Sequence, residues 1–130
     1  MEPTKSLQEI VGELGAYDVE ALRFVQEGLS YAVNKFHGEL EDPKASRHVS
    51  GQQLCQGLRE YALARWGMMA RAVLERWGIS STIDFGKIVY ALIDARYMSR
   101  TEHDSIEDFR DVYDFKAAFD ADYRIQTSPS

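Results

Sequence analysis

The chain has 130 residues and 14.8 kDa, 45% apolar and 28% charged, with a formal net charge of −6. These proportions exclude wholesale disorder and give one ordinary domain, folding from roughly 21,000 Å² of surface to roughly 7,000 Å². No apolar run reaches the roughly 18–20 residues of a membrane span, Met1–Lys5 lacks the basic and apolar regions of a signal peptide, and one cysteine forms no internal disulfide, which together predict a cytoplasmic chain.

Helical periodicity dominates from the start. Ser6-Leu7-Gln8-Glu9 has the form of a capping box, Leu7, Ile10, Val11 and Leu14 follow at helical spacing, and Gly15 supplies a stop. Asp18 caps a second helix with Val19, Leu22, Val25, Leu29, Ala32, Val33 and Phe36 on one stripe, ending near His37-Gly38. Residues 38–49 are polar, contain Pro43 and read as the longest loop. Ser50-Gly51-Gln52-Gln53 opens a third helix with Leu54, Leu58, Tyr61 and Ala62 inward, and Gly67 ends or kinks it. The apolar pattern resumes through Ala70, Val73, Leu74 and Trp77 until Gly78. Arg65-Trp66-Gly67 recurs as Arg76-Trp77-Gly78, a spacing far below that of solenoid repeats, so each tryptophan reads as a core anchor beside a helix end.

Ser81 starts the clearest helix, with Phe85, Ile88, Val89, Leu92 and Ile93 on one face as far as about Arg96. Ser105-Ile106-Glu107-Asp108 is a further capping box. Phe109, Val112 and Phe115 then run irregularly through acidic residues as a short helix, a hairpin return or an extended segment; Phe115 and Phe119 suggest a last short helix. The fold class is therefore mainly α, a single helical domain of five to six helices over 1–130 with a frayed tail at 126–130. A small β-hairpin near 97–112 would make it winged-helix-like.

Charge is unevenly placed. Residues 1–101 hold 13 acids and 12 bases, whereas 102–124 hold 8 acids (Glu102, Asp104, Glu107, Asp108, Asp111, Asp114, Asp120, Asp122) and 3 bases. Arg59, Arg65, Arg71 and Arg76 are spaced so as to scatter around a helix rather than stack. Without a segregated basic face, an acidic chain is repelled by polyphosphate, so nucleic acid is a disfavoured partner.

The chemical motifs are weak. Asp84-Phe85-Gly86 spells the metal-binding tripeptide of protein kinases, but no Gly-rich loop or His-Arg-Asp accompanies it; Asp84 sits where a capping carboxylate belongs. His37, His48 and His103 have no metal-ligand spacing, and Asp104, Asp108 and Asp111 lack the pattern of a calcium loop. Cys55 lies beside an apolar stripe and reads as a small buried hydrophobe. Arg47-His48 stands directly before a helix N-terminus, where backbone N–H groups favour an anion such as a phosphate or a partner's carboxylate. Internal pairing with the acidic C-terminal segment is the plainer reading. No cofactor, metal site or catalytic residue is expected.

Four stretches taken in order, Arg47-His48-Val49-Ser50-Gly51-Gln52, Val73-Leu74-Glu75-Arg76-Trp77-Gly78-Ile79, Asp84-Phe85-Gly86-Lys87-Ile88-Val89 and Asp104-Ser105-Ile106-Glu107-Asp108-Phe109, resemble a small family of uncharacterised bacterial proteins of about this length. The resemblance spans roughly Tyr17 to Phe119 and implies a complete stand-alone protein; it brings no activity, ligand or catalytic residue with it.

The leading expectation is a non-catalytic interaction or regulatory module that binds a basic protein partner through its acidic C-terminal face. Tyr113, Phe115, Phe119 and Tyr123 would supply anchors among the charges. Arg47, His48, Asp104, Asp108 and Asp111 are the candidate partner- or anion-binding residues. The alternatives are a winged-helix-like nucleic-acid binder and, last, a small metal-dependent enzyme built from His48, His103 and the carboxylates.

Overall fold

Why this chain makes helices is visible at their ends. A computed structural model describes residues 4–37, 49–98 and 105–121. In order it contains α1 (Leu7–Leu14), α2 (Val19–His37), α3 (Gly51–Trp66), a 3₁₀ turn (Gly67–Met69), α4 (Ala70–Arg76), α5 (Thr82–Asp94), a second 3₁₀ turn (Ile106–Phe109) and a π-type turn (Ala117–Ala121). Ser6 and Ser50 form reciprocal capping boxes with Glu9 and Gln53. Asp18 accepts from the amide of Glu20 at the head of α2. Each bond satisfies an amide that the helix itself cannot.

Among the described residues there is no strand. Within the 97–112 window, residues 106–109 form the second 3₁₀ turn, while 99–104 lie outside the described residues. No described helix is long and apolar enough to cross a membrane.

α2 and α3 form the closest helix pair, and glycine allows it. A Cβ at Gly57 would lie 2.6 Å from Ala32 Cβ, and one at Gly28 would collide with Leu58. The buried seam of α2 is accordingly Ala21, Leu22, Phe24, Val25, Gly28 and Ala32. The expected stripe is rotated toward Phe24, and Leu29, Val33 and Phe36 are only half-buried. Gly28 carries no hydrophobic signal of its own, yet with Ala32 it marks the line of closest approach.

Phe24 is the hub of the aromatic core. Its ring centroid lies 5.6 Å from Tyr61, 5.4 Å from Trp66, 6.2 Å from Trp77 and 6.4 Å from Phe85. The repeated Arg-Trp-Gly now has a physical reading: Trp66 and Trp77 meet edge to face at 5.4 Å, each one residue before a helix-ending glycine. Gly78 has φ +95°, and a Cβ there would strike the carbonyl oxygen of Ala16. That contact, with the Asp18 amide donating to Trp77 O at 3.1 Å, locks the α1–α2 turn onto the end of α4.

α5 stops two residues before Arg96. The amide of Arg96 donates to Ile93 O at 3.0 Å and that of Tyr97 to Leu92 O at 2.8 Å, the paired bonds of a Schellman motif. Arg96 occupies its left-handed position at φ 71°, where glycine is the usual residue. The left-handed conformation costs a side chain roughly 1–2 kcal/mol, against roughly 0.5–1 kcal/mol of extra backbone entropy for glycine. Arg96→Gly is therefore expected to stabilise the fold by about 0.5–1 kcal/mol in urea denaturation; a lower midpoint would contradict this assignment of the helix end.

Candidate functional site

The acidic C-terminal segment is held to the helices by what lies beneath it. Phe109 is 4% exposed and fills a seat made by two glycines on different helices. A Cβ at Gly86 of α5 would lie 2.8 Å from Phe109 Cβ, and one at Gly51 of α3 would lie 3.0 Å from Phe109 Cε1. Further on, the amide of Val112 donates to Thr82 Oγ1 at 3.1 Å, and Tyr113 donates its hydroxyl proton to Cys55 O at 2.8 Å. Phe115 packs 5.7 Å from Phe85 and 5.1 Å from Phe119. Tyr113, Phe115 and Phe119, expected as anchors for a partner, are thus turned to this protein's own core. Tyr123 lies outside the described residues.

With the aromatics inward, the charges face solvent. Glu107, Arg110, Asp111, Asp114 and Lys116 are exposed. Their local bonds differ. Glu107 pairs with Arg110 through two contacts of 2.7 and 3.0 Å, which holds its carboxyl below the usual range. Asp114 accepts from the amide of Ala117, and Asp120 makes a two-point contact with Arg71 at 3.0 and 3.3 Å.

Of the candidate binding residues, Asp108 accepts from the Ser105 amide at 3.2 Å as its capping position predicts, with its Cβ against Gly51, the first residue of α3. The acidic segment therefore does reach the head of α3. Asp111 is exposed at φ 52° and makes no hydrogen bond or ion pair among the described residues. Arg47, His48 and Asp104 lie outside the described residues, as do His103 and the side chain of His37. Among the described residues no group of three or more His, Cys, Asp or Glu side chains could hold a metal ion.

The two residues whose chemistry drew notice earlier have structural work. Asp84 is 9% exposed, and its Oδ1 accepts from Tyr17 Oη at 2.5 Å. Its Oδ2 accepts from the amides of Ser80 and Ser81 at 2.9 and 3.1 Å, with both serine hydroxyls at 3.4 Å. One carboxylate thereby ties the α1–α2 turn to the head of α5. The glycine of the same tripeptide is Gly86, half of the seat under Phe109. Cys55 is fully buried, and burial pushes its thiol up to about 12, which leaves no thiolate for nucleophilic attack near neutrality.

The four arginines go to different places, as their spacing implies. The Arg59 side chain donates to Ala118 O, Arg65 pairs with Glu27, and Arg71 pairs with Asp120 and Glu75. Arg76 is exposed and makes no ion pair among the described residues. Near it, a shallow cleft of about 500 Å³ opens between the α1–α2 turn and Trp77-Gly78, with Tyr17 and Arg76 in its wall. The sequence reading overlooked Met68 and Met69, which stand in solvent between α3 and α4; they fall between the helix that Gly67 ends and the apolar pattern that resumes at Ala70. Comparison with known proteins finds no matching family model, no matching curated protein and no matching solved structure.

The buried tyrosines give the site a pH signature. Tyr17 is held protonated by burial and then by its bond to Asp84, and Tyr113 by burial. Unfolded tyrosines ionise near pH 10, so the stability these two confer is fully present below about pH 10 and is lost as pH rises beyond it. The urea midpoint should fall between about pH 9 and 11.5, and Tyr113→Phe should flatten part of that fall; an equal slope in the variant would contradict the burial of Tyr113.

Proposed function

We propose that this chain is a non-catalytic protein-interaction module that meets a basic partner through the outward charges of its C-terminal segment. The observation that carries this reading is the anchoring of residues 105–121 by Phe109, Phe115 and Phe119, 4%, 5% and 1% exposed, beneath an exposed charged surface. The segment holds five acids against two bases. A surface fixed in this way loses little conformational entropy on binding, and its charge steers encounter and sets partner choice. The inward aromatics leave charge as the principal source of recognition on this face, so the binding is expected to weaken steeply with salt.

The mechanism needs no reaction. Among the described residues Asp111 makes no hydrogen bond or ion pair, and Asp114 uses one carboxylate oxygen on the Ala117 amide. Glu107 holds Arg110 with both of its oxygens and would exchange that pairing for a partner's lysine or arginine. Asp108 serves the turn itself and is a poor position for a test.

The test is capture of partners from native lysate, with and without nuclease, by the wild-type chain and by Asp104→Asn/Glu107→Gln/Asp111→Asn. A nuclease-resistant basic partner that the folded triple variant binds at least tenfold more weakly is the expected result. Unchanged binding would sink the proposal. Partners that vanish with nuclease would favour the winged-helix-like nucleic-acid alternative.

A further inference from the structure

The largest apolar exposure among the described residues lies elsewhere, at Met68 and Met69, which are 71% and 58% exposed. Their position follows from the break at Gly67. With φ 52° and ψ −128° that residue ends α3, and the chain passes through a 3₁₀ turn before α4 begins. The turn closes through a backbone bond, the Ala70 amide donating to Gly67 O, and Ala70 itself is fully buried. Neither thioether helps to hold that bond, and neither methionine belongs to the core or to the side chains packed against it.

Sulfur is the element in this chain that peroxides attack most readily, and access and thiolate character decide which sulfur reacts. The chain holds one cysteine and four methionines. When it is unfolded the cysteine reacts first, because a thiolate is a far stronger nucleophile than a thioether. Folding inverts this order. Cys55 is fully buried, and burial pushes its thiol up to about 12, so near neutrality it offers neither access nor thiolate. Met98 is half-buried and packed against the core. Met68 and Met69 stand in solvent, next to each other in one turn.

We propose that Met68 and Met69 form a reversible oxidation site, taking oxygen from hydroperoxides as methionine sulfoxides ahead of Cys55 and Met98 while the fold stays intact. In each step the thioether sulfur attacks a peroxide oxygen. A sulfur–oxygen bond forms, the O–O bond breaks, and the electron pair passes from sulfur to the departing oxygen, which leaves with the proton as water or an alcohol. The sulfur is oxidised and the peroxide reduced. A sulfoxide is polar, which an exposed turn accommodates and a packed core does not. Methionine sulfoxide reductases, one for each epimer, restore the thioether. This site uses none of Glu107, Asp111 or Asp114, so it stands or falls separately from the acidic face.

The probe is hydrogen peroxide, applied to the native chain and to the chain in urea. Tryptic peptides 66–71, 97–100 and 48–59 then report the methionine pair, Met98 and Cys55 separately by mass spectrometry. In the native chain the pair is expected to gain an oxygen on each sulfur at least about tenfold faster than Met98 or Cys55 is oxidised. In urea Cys55 should react first, and Met98 should keep pace with the pair. The oxidised native chain should keep its circular dichroism and urea midpoint, and the two reductases should return it to its original mass without denaturant. Met68→Leu/Met69→Leu should remove the fast phase and leave Met98 and Cys55 slow. Oxidation of Met98 or Cys55 in the native chain as fast as that of the pair would overturn the proposal. So would a lowered midpoint after oxidation of the pair alone, or sulfoxides that the reductases reach only in the unfolded chain.

Discussion

Phe109 approaches two helices so closely that neither can carry a side chain at the point of contact, and the C-terminal half of the molecule depends on that approach. Gly51 at the head of α3 and Gly86 in the first half of α5 form one seat. The ring in it fixes the distance between the two helices as well as the path of the chain that follows. Once Phe109 is seated, Thr82 can receive the amide of Val112 and the Cys55 carbonyl can receive the Tyr113 hydroxyl. Phe115 and Phe119 then complete the aromatic layer over Phe85. Filling either glycine would force the neighbour to move by several tenths of an ångström in a close-packed interior, typically at a cost of about 1–3 kcal/mol.

The same economy recurs on the other side of the core. Gly28 and Gly57 bring α2 and α3 together, Phe24 gathers Tyr61, Trp66, Trp77 and Phe85, and Asp84 binds the α1–α2 turn to α5. Residue types that suggest chemistry are thereby occupied in holding elements together. A buried carboxylate with a tyrosine and two serines around it resembles a reactive centre in composition. In geometry it is a helix cap with one long-range tie, and the backbone amides among its donors are what a cap needs.

How much of this was legible follows from what kind of signal each feature leaves. Capping at Ser6, Asp18, Ser50 and Ser105 is local chemistry within a few residues, and the sequence shows it directly. The stripe on α5 was also legible, because Phe85, Ile88, Val89 and Leu92 are large and regularly spaced. The place of Phe24 was not: on α2 the line of closest contact runs through Gly28 as well as Ala32, and hydrophobic periodicity does not weigh a glycine. The end of α5 near Arg96 was legible from where the stripe stops, but its left-handed turn was not, since Arg96 adopts the conformation that glycine usually does. At the acidic segment the charges were visible but the inward turn of the aromatics was not, because their partners, Gly51, Cys55, Thr82 and Phe85, lie far away along the chain. The methionine corner was hidden for a different reason. The glycine that ends α3 interrupts the periodicity, and the apolar pattern resumes only at Ala70, so it says nothing of where Met68 and Met69 point.

The account rests on the acidic segment being part of the packed fold rather than a tail beside it, and amide hydrogen exchange tests this most directly. In the wild-type chain the amides of Val112 and Ala118, bonded to Thr82 Oγ1 and Asp114 O, should be protected to a degree approaching those of α5. Gly86→Ala should remove the protection of residues 105–121 while leaving that of α2 and α3. Wild-type amides at Val112 and Ala118 that exchange as fast as those of an unfolded peptide would contradict the account.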